Sequence, residues 1–149
     1  TIKSEEVSTN NKQYIKLDID MVNDELNNMI NKTVNNFYSS SFKALNNKDK
    51  NIISGATEEV KELVYNYINK KAFLLSNNYE ITDLDVEIEK SDFKCENNIY
   101  KASLVTRVDY SIYKKILPFV KDSNESSFIL NLEYQEGEFI IKGIQKIDI

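Results

Sequence analysis

The sequence predicts an α+β fold: two N-terminal helices packed on a curved, mainly antiparallel sheet of about four strands. Three observations carry this. Apolar residues from Val22 to Leu75 recur at helical spacing. From Tyr79 the period changes to two. The stretch Ile99–Tyr113 then alternates throughout, with Tyr100, Ala102, Leu104, Thr106, Val108, Tyr110 and Ile112 on one side and Lys101, Ser103, Val105, Arg107, Asp109 and Ser111 on the other. Such a strand is about twice the usual length and belongs to a twisted sheet that wraps its core.

The elements follow in order. Residues 1–18 are polar and aperiodic apart from Tyr14, Ile15 and Leu17, and read as a flexible lead-in. Residues 19–149 read as one domain, a length that supports a single core. Asp18 or Asp20 is the expected cap of a first helix over about Met21–Ala44, with Val22, Leu26, Met29, Ile30, Thr33, Phe37 and Leu45 at helical spacing and Asn46–Asp49 as its stop. A second helix opens near Thr57 with Glu58 and Glu59 in its first turn. Val60, Leu63, Val64, Tyr67, Ile68, Ala72 and Leu75 form its stripe, and Asn77-Asn78 ends it.

In the next strand Leu84, Val86 and Ile88 alternate with Asp83, Asp85, Glu87 and Glu89. Ser91–Asn98 reads as a connection with Asn97-Asn98 as its turn. After the long strand, Lys114–Glu125 reads as a polar loop around Pro118, with Ile116, Leu117, Phe119 and Val120 as an apolar knot. Phe128–Tyr134 and Phe139–Ile147 read as the last strands, joined by Glu136-Gly137, with a bulge or bend at Gly143.

Composition excludes several functions. With net charge −5 and pI near 4.9 the chain has no basic footprint, which argues against nucleic acid and anionic membrane surfaces. No apolar run is long enough for direct membrane insertion. The chain has no histidine and one cysteine, Cys95, so histidine triads, thiolate zinc sites and an internal disulfide are ruled out. Its three glycines are too far apart for a phosphate loop. No cofactor, metal set or catalytic set emerges. The acidic run Asp83–Glu89 reads as a solvated strand face before it reads as a Ca²⁺ site, since it lacks an EF-hand loop. The start at Thr1 suggests a chain processed, trimmed or excised from something longer.

Two groups remain as candidate ligand contacts. Nine tyrosines are present. Tyr38, Tyr65, Tyr67, Tyr100, Tyr110, Tyr113 and Tyr134 fall on or near expected inner faces, where they either line the mouth of a pocket or pack at core edges; Tyr38, Tyr67, Tyr110 and Tyr134 are the candidate ligand contacts. Arg107, the one arginine, sits beside Asp109 on the polar side of the long strand. It reads as an anion-binding fork or as half of a cross-strand pair with Asp109 or Glu133.

The order of elements and the closing hairpin SSFILNLEYQEGEFIIKGIQKID resemble the nuclear-transport-factor-2-like cone, within the cystatin-like folds. Phe139 stands where that family often has Trp, with Ile141 at the following apolar position. The Asn/Lys-rich helices and long strands are similar to accessory domains of exported or membrane-anchored Gram-positive (clostridial-type) proteins. That resemblance implies a non-catalytic extracytoplasmic binding or assembly module with a protein partner or self-association. The alternative it implies is a small-ligand enzyme of the ketosteroid-isomerase or polyketide-cyclase sort, using Asp109 with Tyr110 or Tyr134. A cytoplasmic stress or sporulation role is the third reading.

Overall fold

The computed structural model describes residues 4–9, 12–17, 22–73, 79–114 and 120–147. Strands β1 (Ser4–Thr9) and β2 (Lys12–Leu17) pair antiparallel in a sheet of their own, where the sequence shows no period. A π-helical turn, Val22–Leu26, leads into helix α1 (Asn27–Asn47). The caps expected at Asp18 or Asp20 lie outside the described residues. Leu26, Ile30, Val34, Phe37, Tyr38, Phe42 and Leu45 share one face of this helix and are all buried. α1 ends in a Schellman turn. Lys48 is left-handed (φ 55°) and donates to the Leu45 carbonyl, and the Asp49 N–H reaches back to Ala44 at 2.9 Å.

Helix α2 (Glu58–Phe73) begins where Thr57 Oγ1 accepts the Val60 N–H at 3.4 Å. Val60, Val64 and Ile68 are its buried stripe. Leu63, expected in that stripe, is 49% exposed, because it falls one position off the i, i+4, i+8 row that meets the sheet. Ala72, Leu75 and Asn77-Asn78 lie where side chains are not described.

The main sheet is an open antiparallel meander of β3 (Tyr79–Glu96), β4 (Ile99–Lys114), β5 (Val120–Gln135) and β6 (Glu138–Ile147), in that spatial order. β4 is the strand anticipated. Ala102, Leu104, Thr106, Val108, Tyr110 and Ile112 are buried beneath the helices, while their odd-numbered neighbours face outward.

Two expected loops are strand instead. Ser91–Glu96 continues β3, paired residue by residue with Ile99–Leu104, and only Asn97 and Asn98 turn, at φ 51° and 65°. Val120–Glu125 opens β5 opposite Asp109–Lys114. In both cases a neighbouring strand satisfies the backbone whatever the side chains, so polar residues extend the ladder instead of ending it. The remainder of the expected apolar knot, around Pro118, lies outside the described residues. Bulges bend β3 between Thr82 and Asp85 and between Ile88 and Lys90, and β6 opposite Asn131/Leu132, beside the glycine expected to mark one.

The helical layer is bonded to both edges of this sheet. At the β3 edge, the Asn46 side chain donates to the Ile81 carbonyl (2.9 Å) and accepts its N–H (2.8 Å). At the β6 edge, the segment between the helices runs parallel to Ile141. The Ile141 N–H donates to the Gly55 carbonyl at 2.9 Å, and the Thr57 N–H donates to the Ile141 carbonyl at 3.1 Å. Gly55 makes this approach at φ 79°, a conformation that strains any residue with a Cβ. Among the described residues no helix is long and apolar enough to cross a membrane.

Replacing Asn46 by Ala strands both backbone groups of Ile81 at a part-buried edge. Urea unfolding is expected to show a loss of about 1–3 kcal/mol. Asn35→Ala, which removes an exposed bond to the Asn31 carbonyl, should change stability by less than about 0.5 kcal/mol.

Candidate functional site

The candidate residues divide between the two faces of the sheet. On the inner face, Tyr38 descends from α1 between Phe37 and Phe128, with ring centroids at 5.1 and 6.2 Å. Its hydroxyl lies 2.7 Å from Thr106 Oγ1, and Thr106 donates its own proton to the Phe128 carbonyl at 3.0 Å. Because the Thr106 proton is committed, Tyr38 is the donor in the first bond. Burial pushes the Tyr38 phenol well above its ordinary range, the Thr106 contact opposing. Tyr110 packs on Phe42 at 4.9 Å, with its hydroxyl 3.2 Å from buried Ser126 Oγ. Its pKa is also raised by burial, with the Ser126 contact opposing.

Tyr67, half-buried on α2, meets Phe128 edge-on at 5.4 Å, and Lys146 Nζ lies 5.5 Å from its ring centroid. Tyr134 packs edge-on against Phe139, six residues along β5 from Phe128. Tyr38 and Tyr67 therefore meet around Phe128, and Tyr134 stands apart from them. Sequence reading passed over Tyr79. This residue is buried at the start of β3, donates to Asn69 Oδ1 at 2.9 Å and carries Lys48 over its ring.

On the outer face, Arg107 meets Glu87 of β3 at 2.6 Å and Asp109 at 3.3 Å. Glu87 first, then Asp109, raises its pKa, so the guanidinium stays charged at any working pH. Glu133, the other partner considered for Arg107, instead meets Lys101 at 3.7 Å. Asp109 and Tyr110 are chain neighbours on a strand and so point to opposite faces; this arrangement does not bring an acid and a phenol to one ligand.

Clefts among the described residues open on the surface. One, about 600 Å³, lies between the end of α1 and the start of β3 and is lined by Lys43, Asn47, Glu80 and Asp83. A second, about 540 Å³, is a trough across the far part of the outer face, with Lys94, Lys101 and Lys142 beside Asp92 and Glu133. A third, about 420 Å³, lies among Asp83, Asp109, Ser123 and Glu125. Among the described residues no three acids and cysteines are placed to hold a metal ion.

Sequence reading missed the far end of the β3–β4 hairpin. Every residue from Glu89 to Ile99 is exposed. Phe93, on the inner face, and Ile99, on the outer face at the tip, are each 37% exposed, and Cys95 is a free, exposed thiol. Lys94 and Lys101 flank Glu96 at 3.1 and 3.7 Å and hold its carboxyl below the usual range, the Lys94 hydrogen bond contributing most. The signal was present in the sequence: Phe93 and Cys95 mirror Tyr100 and Ala102 about an Asn-Asn turn.

Tyr38→Phe removes one buried hydrogen bond and should cost about 0.5–1.5 kcal/mol at neutral pH. The native phenol holds its proton where the unfolded chain, titrating near pH 10, has lost it. This group therefore gives stability no pH dependence below about pH 10 and lowers it above, by up to about 1.4 kcal/mol per pH unit. Denaturant unfolding at a series of alkaline pH values should give a shallower fall for Tyr38→Phe than for the parent. Equal slopes would contradict the assignment.

No curated protein matches this sequence. Residues 30–145, which run from the second turn of α1 almost to the end of β6, match the family model of the YvbJ NTF2-like domain. The α+β arrangement of two helices on an antiparallel meander agrees with that match, and the chain belongs to the YvbJ NTF2-like domain family.

Proposed function

We propose that this domain is a non-catalytic binding or assembly module of an extracytoplasmic Gram-positive protein, and that it meets a protein partner through the far end of the β3–β4 hairpin. The observation that carries this reading is the exposure of Phe93 and Ile99 at a hairpin tip beyond the helical cover. The inner tyrosines support it from the other side. The hydroxyls of Tyr38 and Tyr110 are buried and bonded to Thr106 and Ser126, which leaves them poorly placed to greet a ligand. The isomerase-like alternative loses its motivating pair, because Asp109 is engaged by Arg107 on the opposite face from the Tyr110 ring. The Asn/Lys-rich composition, similar to that of accessory domains of exported Gram-positive proteins, supports the source proposed here.

The test uses the domain immobilised and exposed to solubilised native cell envelope, with Phe93→Asp/Ile99→Asp as the comparison. A partner retained by the parent and lost by at least about tenfold with the double variant is expected. Equal retention by both, with unfolding midpoints matched, would sink the proposed surface. Protease treatment of intact cells tests the compartment: an extracytoplasmic domain is cleaved before lysis, a cytoplasmic one only after it.

A further inference from the structure

The outer edge of β3 carries a sequence that is complementary to itself. β3 is an edge strand, and no described strand pairs with its open side. The bulge between Ile88 and Lys90 and the turn at Asn97 isolate a straight segment, Lys90–Glu96. With a two-residue left-handed turn, Glu96 and Ile99 form the hydrogen-bonded closing pair, and the alternation of an antiparallel ladder follows from it. Lys94, Asp92 and Lys90 turn their backbone groups towards β4. Ser91, Phe93 and Cys95 turn theirs to the open edge.

We infer that this segment pairs antiparallel with the same segment of a second copy, on a two-fold axis at Phe93. The inference rests on the reading of the far hairpin as a binding surface and names its occupant. In this register Asp92 faces the partner's Lys94 and Lys90 faces the partner's Glu96, and symmetry makes each pair twice. All of these charges lie on the outer face. On the inner face Phe93 meets the partner's Phe93, and Ser91 lies beside the partner's Cys95. The exposed apolar ring is thereby covered at the centre of the contact.

Neighbouring registers fail on charge or length. A two-fold axis at Asp92 sets Asp92 against its own copy and Lys90 against Lys94. An axis at Lys94 sets Lys94 against its own copy and Asp92 against Glu96. Axes at Ser91 or Cys95 run the strand into the bulge or the turn. The Phe93 register alone uses the whole straight segment with every charge opposed. Alternating charge is a common device for blunting a strand edge, yet here it repels other strands and accepts this one.

Such a contact forms about six backbone hydrogen bonds over a small area, so the dimer is weak and concentration-dependent. It joins two four-stranded sheets into one continuous sheet.

Sedimentation equilibrium at low salt, from roughly 10 µM to 1 mM, tests this on the whole chain. The parent should move towards twice its 17.3 kDa mass. Asp92→Lys and Lys94→Asp should each raise the dimer dissociation constant at least about tenfold, by setting like charges against each other. The double variant Asp92→Lys/Lys94→Asp restores opposite charges and should regain the dimer, which also shows that the single variants did not fail merely by misfolding. A parent that stays monomeric, a dimer indifferent to the single reversals, or a double variant that stays monomeric while retaining the parent's circular dichroism would each overturn the inference. None of these results touches the capture of another protein through Phe93 and Ile99, which stands or falls on its own experiment.

Discussion

The attachment of a helical layer to both edges of one sheet governs this molecule. A strand edge offers unpaired N–H and C=O groups, and where helices pack over it those groups are part-buried and must be satisfied. Asn46 does this at Ile81 with a two-pronged side-chain bond, and Gly55 with Thr57 does it at Ile141 with main chain. The two attachments fix how far the helices reach along the sheet. Beneath them lie Leu104, Val108, Ile112, Leu130 and Ile141, each buried and each contributing on the order of 1.5–3 kcal/mol relative to exposure. Beyond them the β3–β4 hairpin extends past the described helices, and the exposed face of Phe93 follows from the length of the strands, not from a defect in the core.

The polar chemistry of the interior serves packing. The relay from Tyr38 through Thr106 to the Phe128 carbonyl links a helix to two strands, and Tyr110 with Ser126 links two strands again. A satisfied buried network of this kind fixes which side chains oppose which, since any slip would leave a hydroxyl without a partner. On the outer face Arg107 ties Glu87 of β3 to Asp109 of β4, while on the inner side Lys146 stands over the Tyr67 and Phe128 rings. Asp109 and Tyr110, neighbours on one strand, point to opposite faces, which is why they form no acid–phenol pair.

Much of this was legible in the sequence, for physical reasons that also mark where reading stopped. The inner face of β4 could be read because every second residue from Ala102 to Ile112 is apolar or Thr. The helices could be read from their stripes, with Leu63 misplaced because a stripe wider than the contact looks the same in sequence. Ser91–Glu96 and Val120–Glu125 looked like loops because polarity follows solvent exposure, whereas strand character here comes from the neighbouring backbone. The π-helical turn at Val22–Leu26 and the pairing of Ser4–Thr9 with Lys12–Leu17 leave no periodic trace. Tyr38, Tyr67, Tyr110 and Tyr134 lie on the inner side as expected, whereas Tyr113, next to inward-facing Ile112, falls on the opposite face; which hydroxyls are satisfied depends on Thr106 and Ser126, far away in the chain.

Native-state hydrogen exchange measured residue by residue at low and high protein concentration tests the central claim most directly: a sheet held at its near edges and open at its far one. The account predicts slow exchange for the Ile81 and Ile141 amides at any concentration. It predicts fast exchange for Ser91, Phe93 and Cys95 in dilute solution, slowing as concentration rises, while Asp92 and Lys94 change little. Fast exchange at Ile81 and Ile141, or protection of Phe93 that does not depend on concentration, would contradict it.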